Sequence, residues 1–84
     1  MDFGEAIKLL KQGERVQREG WNGKNQYIEL AYNISYINPL GEIENAEHNA
    51  IGNKAIAFDG TSGEQLGWLA SQADMLAEDW RIVE

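Results

Sequence analysis

Apolar residues open the chain at helical spacing. Phe3, Ala6, Ile7 and Leu10 recur at i, i+3, i+4 and i+7, which places them on one stripe of an α-helix. Asp2 followed by Glu5 has capping-box spacing. Lys8 and Lys11 suit the negative end of the helix dipole, and Gly13 fits the left-handed position that closes such a helix. The period then drops from 3.6 to 2. "ERVQRE" alternates around Val16 and predicts a short strand. "QYIELAY" sets Ile28, Leu30 and Tyr32 against Tyr27, Glu29 and Ala31 and predicts a clearer one. Between them lies "GWNGKN", in which Asn22-Gly23 suits positive φ, so the two strands predict a hairpin with its turn at Gly20–Gly23.

Patterning fades in the middle. "NISYINPLGEIENAEHNAIGNK" scatters its apolar residues among Asn, Gly and the only proline, and reads as a loop around Asn38-Pro39 with room for a short helical turn. It returns at "KAIAFDG", a strand with Ile56 and Phe58 on one face. "DGTSGEQ" then reads as a turn and "QLGWL" as a second strand, the Asp59-Gly60 pair supporting a hairpin between them. In "SQADMLAEDWRIVE", Ser71 and Asp74 repeat the capping-box spacing. A short helix over 72–78 and a final strand with Trp80 and Ile82 on one face follow. These elements predict an α+β fold: a small antiparallel sheet of about four to five strands, an N-terminal helix and a short C-terminal helix on one sheet face.

Size and composition narrow the function. Eighty-four residues predict a single domain over 1–84. The absence of cysteine excludes a disulfide scaffold or a thiolate metal site. The N-terminus lacks the apolar run of a signal peptide, and no segment approaches the roughly 20 apolar residues of a membrane span, which predicts a cytoplasmic protein. A net charge of −7 argues against DNA or RNA as a partner. The charge is uneven, however. Lys8, Lys11, Arg15, Arg18 and Lys24 face only Asp2, Glu5, Glu14 and Glu19 in residues 1–24, whereas residues 25–84 hold Lys54 and Arg81 against ten acids. An anion would be received in the first third, where Arg18 and Lys24 are the candidates for drawing it in.

Catalytic and metal motifs are missing. His48 is the only histidine and sits in the least patterned region, no nucleophile elbow is present, and the acids do not follow a calcium-loop spacing. Glu78-Asp79 and Glu42/Glu44 read as carboxylates facing water, with a glycosidase-like acid pair as the alternative. "GWNGK" matches neither phosphate-loop motif. Its chemistry still suits a nucleotide: turn amides hold anions, Lys24 supplies charge, Asn22 bonds in both directions, and an indole stacks on a base. Trp21 is then either a stacking face or a ring folded back on the core. Trp68, Ser71, Gln72 and Asp74 form a second cluster, in which Asp74 is either a helix cap or an acceptor for ribose hydroxyls.

Taken together, "MDFGEAIKLLKQGERVQREGWNGKNQY" and "WLASQADMLAEDWRIVE" closely resemble a phage family, the second family of Thoeris anti-defence proteins. The resemblance runs over essentially the whole chain, with residues 33–64 the variable part, Tyr36 and Asn38 included. It implies a sponge rather than an enzyme: a small homo-oligomer, a tetramer built as a dimer of dimers, without a cofactor. Such a protein works in the cytoplasm of the infected bacterial host. It binds the glycocyclic ADP-ribose signal of Thoeris without cleaving it. Some relatives also sequester cyclic dinucleotides of a second defence system, CBASS, at a separate site. The resemblance assigns ligand stacking to Trp21, phosphate flanking to Asn22 and Lys24, sugar hydroxyls to Asp74, and the pocket wall to Gln72 and Trp68. The alternatives are a hydrolase of the same signal, using Asp74 or Glu78, and a phage interaction module without a small ligand.

Overall fold

The stripe of Phe3, Ala6, Ile7 and Leu10 forms α1 (Phe3–Lys11) in the computed structural model, which describes residues 1–21 and 25–83. The Asp2 carboxylate accepts the Glu5 N–H at 2.8 Å and starts the helix. At the other end the Glu14 and Gly13 amides bond back to the Leu9 and Leu10 carbonyls, both at 3.0 Å. This double closure is a Schellman motif, and Gly13 makes it possible by taking φ +90°.

The remaining elements follow in the order β1 (Val16–Arg18), β2 (Tyr27–Tyr32), β3 (Ser35–Ile37), β4 (Ile43–Asn45), β5 (Lys54–Gly60), β6 (Gly63–Leu66), α2 (Gln72–Leu76) and β7 (Trp80–Ile82). Five strands form one antiparallel sheet, ordered β6-β5-β2-β1-β7, while β3 and β4 pair only with each other. Directly opposed residues share a face. The register Val16↔Ile28↔Phe58, with Leu30↔Ile56 and Arg18↔Trp80, therefore builds one apolar face. α1 lies on that face and α2 packs beside it. The core is small: Ala6, Leu10, Val16, Ile28 and Trp80 are buried, and Phe3, Ile7, Trp21, Phe58 and Trp68 pack around them. Trp80 satisfies its indole N–H on the Asp74 carbonyl at 3.0 Å. Its backbone N–H bonds to the Met1 carbonyl, and the Met1 ammonium bonds to the Glu78 and Trp80 carbonyls, which ties the start of α1 to the edge strand β7.

The α+β architecture agrees with the patterning; three details differ. The 33–53 region is a β-ribbon and not a loop with a helical turn. Asn38-Pro39 sits at its tip, where Asn38 Oδ1 accepts the Leu40 and Glu42 amides at 3.0 and 2.9 Å. The partner of β5 is Gly63–Leu66 and not "QLGWL", because a two-residue Thr61-Ser62 turn lets Gly60 pair with Gly63. Gly67, at φ +92°, then takes the chain out of the sheet before Trp68. Helix α2 stops at Leu76, since Ala77 turns to an extended ψ of 148°. The expected antiparallel pairing of β1 with β2 is present at Val16↔Ile28, and β1 also pairs with β7 through three residues. The expected Asn22-Gly23 turn lies outside the described residues.

Burial separates positions that hold the fold from positions that do not. Leu10→Ala is expected to cost about 2–5 kcal/mol by urea denaturation, as a large core truncation does. Leu40→Ala, at the 83% exposed ribbon tip, is expected to stay within about 0.5 kcal/mol.

Candidate functional site

Two segments far apart in sequence meet at one carboxylate. The capping box of α2 fixes Asp74: its amide donates to the Ser71 hydroxyl, and its Oδ2 accepts the Ser71 amide, both at 3.1 Å. The other oxygen, Oδ1, accepts Arg18 Nη1 at 3.0 Å and the Trp21 indole N–H at 3.2 Å. Arg18 reaches both acids, because its Nε donates to Asp79 Oδ1 at 2.9 Å. Asp79 Oδ2 in turn accepts the Gly20 amide at 2.9 Å. A Cβ on Gly20 would sit 2.9 Å from that same oxygen, so a larger residue before Trp21 would push the Asp79 carboxylate aside.

The bonds orient the indole. Trp21 meets Trp80, Phe58 and Trp68 edge-to-face, with centroids at 5.3, 5.7 and 6.2 Å. Phe58 in turn depends on Gly60, where a Cβ would fall 2.6 Å from the phenyl ring. Around these rings lies a groove of about 390 Å³, lined by Trp21, Gln26, Phe58, Thr61, Trp68 and Asp74.

Electrostatics hold both acids ionised. Burial pushes the Asp74 carboxyl up, but the Ser71 amide, the Trp21 indole and the Arg18 guanidinium outweigh it and leave the pKa below the ordinary value. The Arg18 hydrogen bond pulls Asp79 down, against a smaller effect of burial and with help from the Gly20 amide. Arg18 itself is raised, by Asp79 first and Asp74 second. Its side chain is 20% exposed and Asp74's 13%, so water screens the pair only partly. Among the described residues no group of three or more His, Cys, Asp or Glu side chains is placed to hold a metal ion.

The chain that folds into this groove matches a known domain over nearly its whole length. The model of the Thoeris anti-defense 2-like domain covers residues 1–83. The chain is also 42% identical over 86 residues to "Thoeris anti-defense 2" of Bacillus phage SP01, spanning 99% of this chain and 94% of that protein. The chain belongs to the Thoeris anti-defense 2 family.

Within this family member, the candidate residues read from sequence divide into four groups. Trp21, Trp68 and Asp74 converge on the groove. Gln72 is exposed in the first turn of α2 and is not among the groove's lining residues. Asn22 and Lys24 lie outside the described residues. Arg18 is placed differently from an anion-steering cation: both acids neutralise it, and its role in the fold is to hold Asp74 and Asp79 together. Four groove or clasp residues were not legible as such. Gln26 and Thr61 sit beside strand ends, Phe58 read as plain strand, and Asp79 read as a water-facing acid. The only sequence signal was the Gly60 that follows Phe58-Asp59, a position where a side chain is dispensed with beside an aromatic.

The depressed carboxylates give a pH dependence with a definite sign. Their folded pKa values lie below the ordinary 3.8, so the unfolded chain binds more protons as acid is added. Their stabilisation is complete above about pH 5 and is lost as the pH falls through the folded values. Arg18→Met removes a counter-ion from both acids and is expected to move the acid-unfolding edge to higher pH. Urea titrations followed by Trp fluorescence between about pH 3 and 7 measure this. Parallel profiles for both proteins would contradict the clasp.

Proposed function

We propose that this chain is a phage anti-defence protein that captures a cyclic nucleotide signal of host immunity and keeps it from its effector without cleaving it. The observation that carries the reading is the Trp21–Asp74 groove in a member of the Thoeris anti-defense 2 family. Glycocyclic ADP-ribose is the proposed ligand, with Trp21 and Trp68 against its rings and the remaining acceptor capacity of Asp74 toward its sugar hydroxyls. Lys24 and Asn22 are proposed to flank its phosphates, and Gln72 to reach the ligand from the groove's edge. Cyclic dinucleotides are proposed as further ligands at a separate site, and assembly as a homo-oligomer, a dimer of dimers, belongs to the same proposal.

Physical arguments support sequestration over hydrolysis. A groove of about 390 Å³ has the size of a small-molecule site. Asp74 is ionised and bonded on both oxygens, which leaves it poorly suited to shuttle a proton near neutral pH. A trap needs slow release, and rigid aromatic walls favour that. The net charge of −7 supports a small ligand over DNA or RNA.

Truncating Trp21 is a poor test, because its ring is packed against three others. Thr61 lines the groove yet is exposed in a turn. Thr61→Trp is expected to fill the groove, keep the far-UV spectrum and abolish binding. With wild type, glycocyclic ADP-ribose at a hundred times its dissociation constant is expected to add about 2.7 kcal/mol of stability. Heat denaturation of the complex is expected to return intact nucleotide. Fragments would identify a hydrolase, and no thermal shift with any cyclic nucleotide would identify a module without a small ligand.

A further inference from the structure

The Trp21 groove differs from its neighbours in what its walls carry. A groove of about 530 Å³ holds Lys11 and Lys54 against aliphatic side chains, and another of about 320 Å³ holds Glu29, Asp59 and Glu64. In the Trp21 groove three aromatic rings, Trp21, Phe58 and Trp68, stand with one carboxylate, Asp74, and its described lining residues include no lysine or arginine. Arg18, the cation bonded to Asp74, is shared with Asp79, so the clasp sets two acids against one guanidinium and keeps a net negative charge. Asp74 stays ionised, because its hydrogen bonds outweigh its burial, and the chain around it carries a net charge of −7.

The rings favour one shape of guest. Trp21 is inclined by 81° to Phe58 and by 65° to Trp68, with centroids 5.7 and 6.2 Å apart. A flat ring is sandwiched only between near-parallel walls, and Trp21 forms no such pair with either neighbour. A compact, rounded group in the corner between steep walls touches more than one ring at once. The face of an aromatic ring carries the negative part of its quadrupole, and a cation within about 6 Å of the ring centre is attracted to it. Asp74 adds a full charge of the same sign. A phosphate meets the opposite: the ring faces and the carboxylate repel it, and no described wall residue offers it a cation.

We propose that the corner formed by Trp21, Phe58, Trp68 and Asp74 is a receptor for a compact organic cation, of the quaternary-ammonium or N-alkylated pyridinium class. The rings take the apolar skin of the ion and Asp74 takes its charge. A hydrated metal ion gains little there, since one carboxylate already bonded on both oxygens cannot replace its shell of oxygen ligands. An alkylated cation has no such shell to lose. The inference rests on the groove of the proposed function and deepens it. A ligand that enters leads with its cationic or electron-poor part and leaves its phosphates outside the described walls.

Choline and its uncharged analogue 3,3-dimethyl-1-butanol test this, because they share a shape and differ in the charge of one central atom. Titrations of the wild type are followed by Trp fluorescence, with sodium chloride holding the ionic strength equal. They are expected to show saturable choline binding, about threefold to thirtyfold tighter than the alcohol. Thr61→Trp fills the groove from an exposed turn and is expected to abolish choline binding with the far-UV spectrum unchanged. Asp74→Asn keeps the shape of the side chain, removes its charge, and is expected to lose most of the preference for choline. Should that variant unfold, the wild-type pair of titrations and Thr61→Trp decide the matter. No saturable choline signal, equal affinity for the two probes, or choline binding that survives in Thr61→Trp overturns the inference. Choline binding without any thermal shift from glycocyclic ADP-ribose overturns the proposed ligand and leaves the cation site standing; the reverse result overturns the cation site alone.

Discussion

The Asp74 carboxylate is the constraint on which the site depends. It caps α2 through Ser71, holds the guanidinium that ends β1, and fixes the indole of Trp21, using both oxygens. Arg18 then carries the restraint on to Asp79 and, through it, to the Gly20 amide. A helix start, a strand end and the stem of a loop are thereby welded together by charge-assisted bonds within one small cluster. Such networks are worth more intact than in parts, because removing one member leaves a partly desolvated charge without its counter-ion. A chain with no cysteine and five buried core residues among those described gains rigidity here that its apolar core is too small to supply alone.

The same economy explains the aromatic rings. Phe3, Trp21, Phe58, Trp68 and Trp80 form one continuous cluster of tilted and edge-to-face rings, with Trp80 buried in the core and Trp21, Phe58 and Trp68 lining the groove. Each groove ring is braced by a ring beneath it. Core and site are therefore not separable: a substitution at Trp21 or Trp68 changes packing and groove shape together. The question whether Trp21 is a core residue or a ligand face thus has no exclusive answer. Its ring edge serves the core and its position serves the groove.

What the sequence revealed was local. Helix α1, the alternation of β2 and the Ser71–Asp74 box each follow from residues within one or two turns of one another. The clasp could not be read in this way. Arg18 lies 56 residues from Asp74 and 61 from Asp79, and with fourteen acids in the chain nothing marks those two as its partners. Ribbon strands of three residues are too short for a period to emerge, and with every side chain exposed there is no buried face to impose alternation. The β6 register failed for another reason. "QLGWL" has better strand composition than "GEQL", but the two-residue turn after Gly60 decides where pairing starts. Turn geometry outranked propensity.

The distribution of charge completes the account. A reader of the sequence would give Arg18 to the ligand and leave Asp79 to solvent, yet the fold neutralises Arg18 internally and orients both acids. Under the proposed function the described walls of the groove would act on a ligand through fixed dipoles and ring faces rather than through a mobile arginine. Fixed partners lose little conformational entropy when a ligand arrives, since their rotamers are already set by Ser71, Gly20 and the neighbouring rings. Escape from such a groove requires breaking contacts that cannot relax toward solvent one at a time. Slow escape is the property that separates a trap from a carrier, and under the proposed function it would be prepared by the ion pair between the first strand and the last helix.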